Sequence, residues 1–189
     1  MLAKITKADG TNIYANTAAP IHLTLHSMFR EIGVHLNSRN VGDTSQLYPY
    51  FSFFESLLNY SKKTQETRFL CEDWTKDTTG HVNVTAVGGN NAGLNARAVN
   101  YSRSSVVELI GRHHADAFHQ NRLIPPNVDL NLKLMTSSTN FVCKSAAPAG
   151  NAPQNNFKLV IMSANLIIYT KQHTSTALTA HMEHLQIRI

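Results

Sequence analysis

The sequence predicts an all-β protein: an antiparallel sandwich with one long connection that carries one or two short helices. Three observations lead there. Apolar residues alternate with polar ones in short segments, most cleanly Val128, Leu130, Leu132 and Leu134 against Asp129, Asn131 and Lys133. Such alternation buries one face of a strand and wets the other, as in antiparallel sheets. Turn-forming clusters separate the segments, at Ala8-Asp9-Gly10-Thr11-Asn12, Gly88-Gly89-Asn90-Asn91, Pro125-Pro126-Asn127 and 146–154. No strand–helix–strand rhythm and no internal repeat is present, which argues against a parallel sheet.

The elements follow in chain order. Leu2 to Thr6 reads as the end of a strand. Ile21, Leu23 and Leu25 alternate with His22, Thr24 and His26, and Ile32, Val34 and Leu36 with Gly33 and His35, so both stretches are expected as strands. Tyr48-Pro49, followed by Tyr50, Phe53, Phe54, Leu57 and Leu58, has the i, i+3, i+4 spacing of a helix, with Pro49 suited to its first turn. That spacing points the aromatic stripe at the core; the rival reading turns part of it toward a neighbouring subunit, because aromatics anchor interfaces. Ser61 is placed to cap a second short helix, so a helical insertion is expected at about 47–70, inside a long connection from Tyr48 to Gly89. Ser105–Ile110 and Phe141–Lys144 read as further strands. Phe157 to Tyr169 is apolar on both faces, which predicts a central strand, long or bent at Ser163. Leu178, Met182 and Leu185 give a weaker helical pattern, and Leu185 to Ile189 resembles the start of another strand. Two ends that read as strands predict a fragment of something longer. The class of antiparallel sandwiches includes the jelly rolls.

Composition narrows the function. A chain of 189 residues with 42% hydrophobic and 15% charged residues is not intrinsically disordered. No apolar run reaches the ~20 residues of a membrane helix, and the start MLAKITKADG has no features of a secretory leader. The 17 Lys and Arg against 12 Asp and Glu give +5, but the charges are scattered, so at most weak, non-specific contact with DNA is expected. Cys71 and Cys143 have no metal-knuckle spacing; free thiols are the simpler reading, with a disulfide the alternative.

Ten histidines raise metal or catalytic chemistry. In Arg112-His113-His114-Ala115-Asp116-Ala117-Phe118-His119, a helical turn would bring His114, Asp116 and His119 together; the plain reading is a strand end and a turn with locally bonded imidazoles. In His181-Met182-Glu183-His184 two histidines are three apart, without the HExxH pattern and without a nameable third ligand. No G-x-S-x-G, Walker loop or GxGxxG occurs, and Gly88 to Gly93 reads as a loop. The sequons at Asn59, Asn83 and Asn100 are expected to stay unmodified. The expectation is therefore no catalytic residue, no cofactor and no metal, with no stoichiometric zinc on the purified chain.

An ordered set of stretches carries a resemblance. These are Lys4–Ile13, Pro20–Arg39, Tyr48–Thr67, Asn91–Arg97, Val107–Leu134, Asn140–Cys143, Phe157–Lys171 and Ala180–Leu185. Together they resemble the N-terminal jelly roll of the major capsid protein of Polinton (Maverick) elements and adintoviruses, over nearly the whole chain. The resemblance implies a single jelly-roll domain, 1–189, the first half of a double jelly-roll protein whose leading strand or strands and second roll are missing here. It implies homotrimers that form pseudo-hexagonal capsomers of an icosahedral shell around double-stranded DNA, with contact to a penton or minor capsid protein. It implies no catalysis, no cofactor, no small-molecule substrate and no membrane insertion, and a location in the virion. Low charge with Asn, Thr and Ser facing outward suits close packing of like subunits.

Two other classes compete. A binding module would present the loops at Val82–Arg97 and 145–156 to a sugar or receptor. A cupin-type enzyme would gather at least three histidines from facing strands on a metal, and it is distinguished by whether His113, His114 and His119 lie within ligand reach of one another or of His181.

Overall fold

The structure, a computed structural model, describes residues 1–42, 46–120, 123–145 and 156–172, together with 174, 176, 179, 180 and 183. Strand β1 (Leu2–Lys7) is followed by β2 (Ala18–Pro20), helix α1 (Thr24–Ser27), β3 (Phe29–Leu36) and β4 (Arg39–Asn40). The long connection holds α2 (Tyr48–Leu58), α3 (Lys62–Thr67), a 3-10 turn over Arg68–Glu72 and α4 (Ala92–Asn100). Then come β5 (Val107–Glu108), β6 (Leu130–Thr136), α5 (Thr139–Val142), β7 (Cys143–Ser145) and β8 (Phe157–Ser163).

Every described strand pairing is antiparallel. The strands form two three-stranded sheets, in the orders β5-β1-β8 and β4-β3-β6, and a ribbon of β2 with β7. The main core lies between the two larger sheets: Ala3 and Leu109 from one side meet Phe29, Ile32 and Val34 from the other, with Leu130, Leu132, Leu134, Leu159 and Ile161 partly buried around them. Burial of each large side chain stabilises by about 1.5–3 kcal/mol. The β3–β6 register sets Ile32 opposite Leu134, Val34 opposite Leu132 and Leu36 opposite Leu130, so the alternation in both strands serves one face. The fold is β-rich and layered, and among the described residues no closed barrel forms. No described helix is long and apolar enough to cross a membrane. Both cysteines are free thiols, Cys71 exposed and Cys143 buried.

Helix takes a larger share of the described residues than expected, 30% against 24% strand. Residues 21–25 do not form a strand. The chain leaves β2, passes through a left-handed backbone at Leu23 (φ 57°) and enters α1, whose four residues are all buried. The polar positions that the alternation assigned to solvent are satisfied internally: the Thr24 hydroxyl meets Asp73 at 2.6 Å, and His26 has partners on both ring nitrogens. Alternation of residue type was therefore not alternation of environment. The strand expected over Ser105–Ile110 contracts to Val107–Glu108, and that expected over Phe141–Lys144 splits into the end of α5 and β7. Phe157 to Tyr169 is regular only to Ser163, and β8 ends its described sheet rather than lying at its centre. The glycine-rich stretch is irregular from Gly88 to Asn91, as expected of a loop, and α4 begins at its last two residues, Ala92 and Gly93. Asn91 caps it by accepting from the Leu94 N–H, and Leu94 and Ala98 bury its inner face against Ala19.

The predicted insertion is present. Pro49 lies in the first turn of α2, and the Ser61 side chain accepts from the Thr64 N–H at the start of α3. The aromatic stripe, however, divides. Ser52 and Ser56 are wholly buried and let the α2 backbone sit close on the core, while Tyr50, Phe51, Phe54, Leu57 and Leu58 are 38–75% exposed. Phe53 turns inward and stacks on Trp74 at 5.6 Å between ring centroids. The expected helical pattern at Leu178, Met182 and Leu185, the strand at Leu185–Ile189 and the turn cluster at 146–154 lie outside the described residues, Leu178, Met182 and Leu185 included.

Candidate functional site

Three segments far apart in sequence meet beside α2. Helix α1 supplies His26, the 3-10 turn after α3 supplies Glu72, and the stretch after β5 supplies His114 and His119. Helix α2 supplies Tyr48 and Glu55 from its buried side. His26 and Glu72 are each 1% exposed and His114 4%, so the heart of the cluster is closed to solvent.

Each imidazole is held on at least one nitrogen. The Tyr48 hydroxyl contacts His26 Nδ1 at 2.8 Å and also accepts the His114 backbone N–H at 3.3 Å. His114 Nδ1 lies 2.6 Å from Glu55 Oε2, and His119 Nδ1 lies 3.6 Å from Glu55 Oε1. His26 Nε2 lies 3.3 Å from Glu72 Oε2. The His26 and His114 rings meet edge to face, 4.6 Å between centroids. Gly111 makes room for the carboxylate, since a Cβ there would stand 2.5 Å from Glu72 Oε1.

Burial dominates the protonation of these groups because desolvation disfavours any charged form. It depresses His26 to about 3 and pushes Glu72 up to about 7, against smaller opposing effects from His114 and Arg68 on Glu72. His114 is lowered by the same burial and by His26, and the hydrogen bond to Glu55 only partly offsets this. Burial also drives the Tyr48 phenol upward. The His26–Glu72 contact is accordingly a hydrogen bond between neutral groups at mildly acidic pH, in which the protonated carboxyl donates to the imidazole. Above neutrality Glu72 becomes a buried anion.

The sequence named some of these residues. His114 and His119 do converge, but on Glu55 rather than on Asp116, whose side chain is exposed at the start of a 3-10 turn. The locally bonded reading holds for His119, whose Nε2 donates to the His113 carbonyl at 3.2 Å, and His113 packs on Phe118. His26, Glu55, Glu72 and Tyr48 were not foreseen. The available signal was the spacing of Tyr48, Ser52, Glu55 and Ser56, a polar face at helical period on the side of α2 opposite the aromatics. Nothing in the sequence ties Glu72 or His26 to it. His181 and His184 lie outside the described residues. Three histidines thus gather, as a cupin-type enzyme would need, but from a helix and a loop and not from facing strands of a barrel. The larger described cleft, about 400 Å³ and lined by Leu36, Val41, Phe118, Leu123, Ile124 and Leu130 among others, does not open onto the cluster's imidazoles or carboxylates.

A second buried polar centre lies on α4. Arg97 is wholly buried; its Nε donates to the Pro20 carbonyl at 2.9 Å, one terminal nitrogen to the Thr75 carbonyl and the other to Asp77 at 2.7 Å. Gly93 allows this close seating, because a Cβ there would stand 2.4 Å from the Lys76 carbonyl oxygen. The loop proposed as a ligand-presenting surface at Val82–Arg97 therefore ends in a docked helix. Most of its counterpart at 145–156 lies outside the described residues.

Comparison of the chain with protein-family models, curated proteins and solved structures returns no match.

Proposed function

We propose that this chain is a structural shell subunit, the N-terminal jelly roll of a double jelly-roll capsid protein, which acts by lateral fit to copies of itself and catalyses nothing. The observation that carries the reading is the reversed face of α2. A helix that buries serines and exposes Tyr50, Phe51, Phe54, Leu57 and Leu58 offers an apolar surface of the kind that marks association sites. Two further features support it. The layered antiparallel sheets are compatible with a jelly roll, and among the described residues β8 pairs only with β1, leaving its other edge open to a strand from elsewhere. The ordered resemblance to Polinton capsid proteins supplies the assembly: trimers in an icosahedral lattice around double-stranded DNA. The closed cluster around His26 and Glu72 gives a substrate no route to reactive groups, which favours this reading over an enzyme.

Sedimentation velocity over a wide concentration range tests the proposal. Association that grows with concentration, and that Phe51→Ser combined with Phe54→Ser suppresses in a folded chain, is the expected result. A monomer at every concentration, or saturable binding of a sugar by the monomer, overturns it.

A further inference from the structure

The cluster beside α2 gathers two acidic side chains with no Lys or Arg in ion-pair contact among the described residues, and Arg68 acts on Glu72 only weakly against its burial. Glu72 is almost wholly buried and Glu55 largely so, yet among the described residues their ion-pair partners are histidines only. Buried carboxylates are normally paired with a cation or coordinated to a metal. We propose that His26, Glu72 and His114 bind one divalent transition-metal ion of the zinc class, with Tyr48 and Glu55 orienting the two imidazoles.

Geometry selects these ligands over the neighbouring set of Glu55, His114 and His119. Donors on a tetrahedral zinc ion, each at about 2.0–2.1 Å, stand about 3.3 Å apart. His26 Nε2 and Glu72 Oε2 are 3.3 Å apart, and a ring nitrogen of His114 lies within 4.8 Å of both ligand atoms. His114 Nδ1 and Glu55 Oε2 are 2.6 Å apart, too close for two ligands of one ion and correct for a hydrogen bond. Glu55 therefore takes the Nδ1–H of His114 and leaves Nε2 for the metal. Tyr48 takes the same position on His26, with Nε2 facing Glu72. A metal-binding histidine usually has its other nitrogen fixed in this way by a carboxylate or another acceptor.

The donor set of two imidazoles and a carboxylate, with no thiolate, suits zinc, cobalt or nickel. The ion's double charge equals the sum of Glu55 and Glu72. A water or the second Glu72 oxygen completes the coordination. Because its ligands come from α1, the 3-10 turn and the loop after β5, the ion fastens the long connection to the sandwich. This role is independent of shell assembly and is measurable on any folded form of the chain.

The test uses the full chain purified without chelator. Elemental analysis is expected to find about one zinc per chain, contrary to the sequence expectation of none. After stripping, cobalt(II) should restore the visible absorption of a tetrahedral complex, and zinc should displace it. His26→Gln and Glu72→Gln should abolish the cobalt spectrum, Glu55→Gln should weaken binding about 10- to 100-fold, and His119→Ala should leave it unchanged. On the wild-type chain, which needs no variant to fold, added zinc should raise Tm and saturate at one equivalent. No cobalt spectrum and no Tm rise on folded wild-type chain, binding retained in Glu72→Gln, or binding lost in His119→Ala each overturns the proposal.

Discussion

The protein has two buried polar centres, and they are built on opposite principles. At Arg97 a single cation is surrounded by acceptors: two backbone carbonyls and the Asp77 carboxylate take its donors, and α4 sits close enough for them to reach. At His26 and Glu72 the acceptors outnumber the cations, since two carboxylates face imidazoles of which burial holds His26 and His114 below their usual basicity. The first centre is complete within the described chain. The second is balanced only when Glu72 is protonated or when a cation enters. A buried ionic group is thus not evidence of one role. The Arg97 centre positions a helix, and the histidine centre offers donors to a cation that the chain alone does not supply.

Substitution at the complete centre has the largest effect. Arg97→Met leaves Asp77 and two carbonyls without a partner and is expected to lower stability by about 3–5 kcal/mol, read from the urea midpoint and independent of added zinc. A loss below about 1 kcal/mol would put the Arg97 contact on the level of a surface ion pair and remove the contrast.

The glycines beside each centre sharpen it next. In Gly93→Ala the new methyl meets the Lys76 backbone carbonyl, which cannot move without shifting the chain. A loss of about 1–3 kcal/mol is expected, as for other overpacked sites. In Gly111→Ala the methyl meets the Glu72 side chain from Cγ to Oε1, a side chain rather than the backbone. The fold should therefore suffer less, while zinc binding weakens. Equal destabilisation by both, with zinc binding intact in Gly111→Ala, would break the distinction.

Some of this was legible in the sequence and some was not. β1, β3, β6 and α2 follow from short-range periodicity, because their neighbours in space only reinforce the local pattern. The strand expected through Leu23 fails because Asp73, about fifty residues on, satisfies Thr24 inside the protein. A polar residue with a distant partner looks, in sequence, like a residue facing water. The inward face of α2 was misread for the same reason: Ser52 and Ser56 are buried for their small size, which hydrophobicity does not register. The cluster was half visible, through His114 and His119, while Glu72 and His26 joined it only through tertiary contacts.

The most gradual effect is that of pH on the stripped protein, where the two kinds of buried group oppose each other. His26 at about 3 and His113 at about 4 lie below their usual 6.5, so the unfolded chain takes up protons that the folded one refuses, and these residues make stability fall as pH drops below 6.5. Glu72 at about 7 and Asp73 at about 6 lie above their usual values of 4.5 and 3.8, so they make stability fall as pH rises through that range. With His22 and His114 also lowered, the imidazoles outnumber the carboxyls, and Tm in chelator should rise from pH 4.5 to a maximum near 6.5. Glu72→Gln should remove the decline above that maximum. A Tm independent of pH across this range would mean that the imidazoles are not held neutral by burial.

The two thiols differ as sharply as the two centres. Cys143 is sealed in the core, with its thiol pushed up to about 12, while Cys71 stands exposed on the turn immediately before Glu72. The unmodified chain therefore has one accessible sulfhydryl, adjacent in sequence to a proposed ligand. A fluorophore attached there would turn ion entry into an optical signal without any engineered handle.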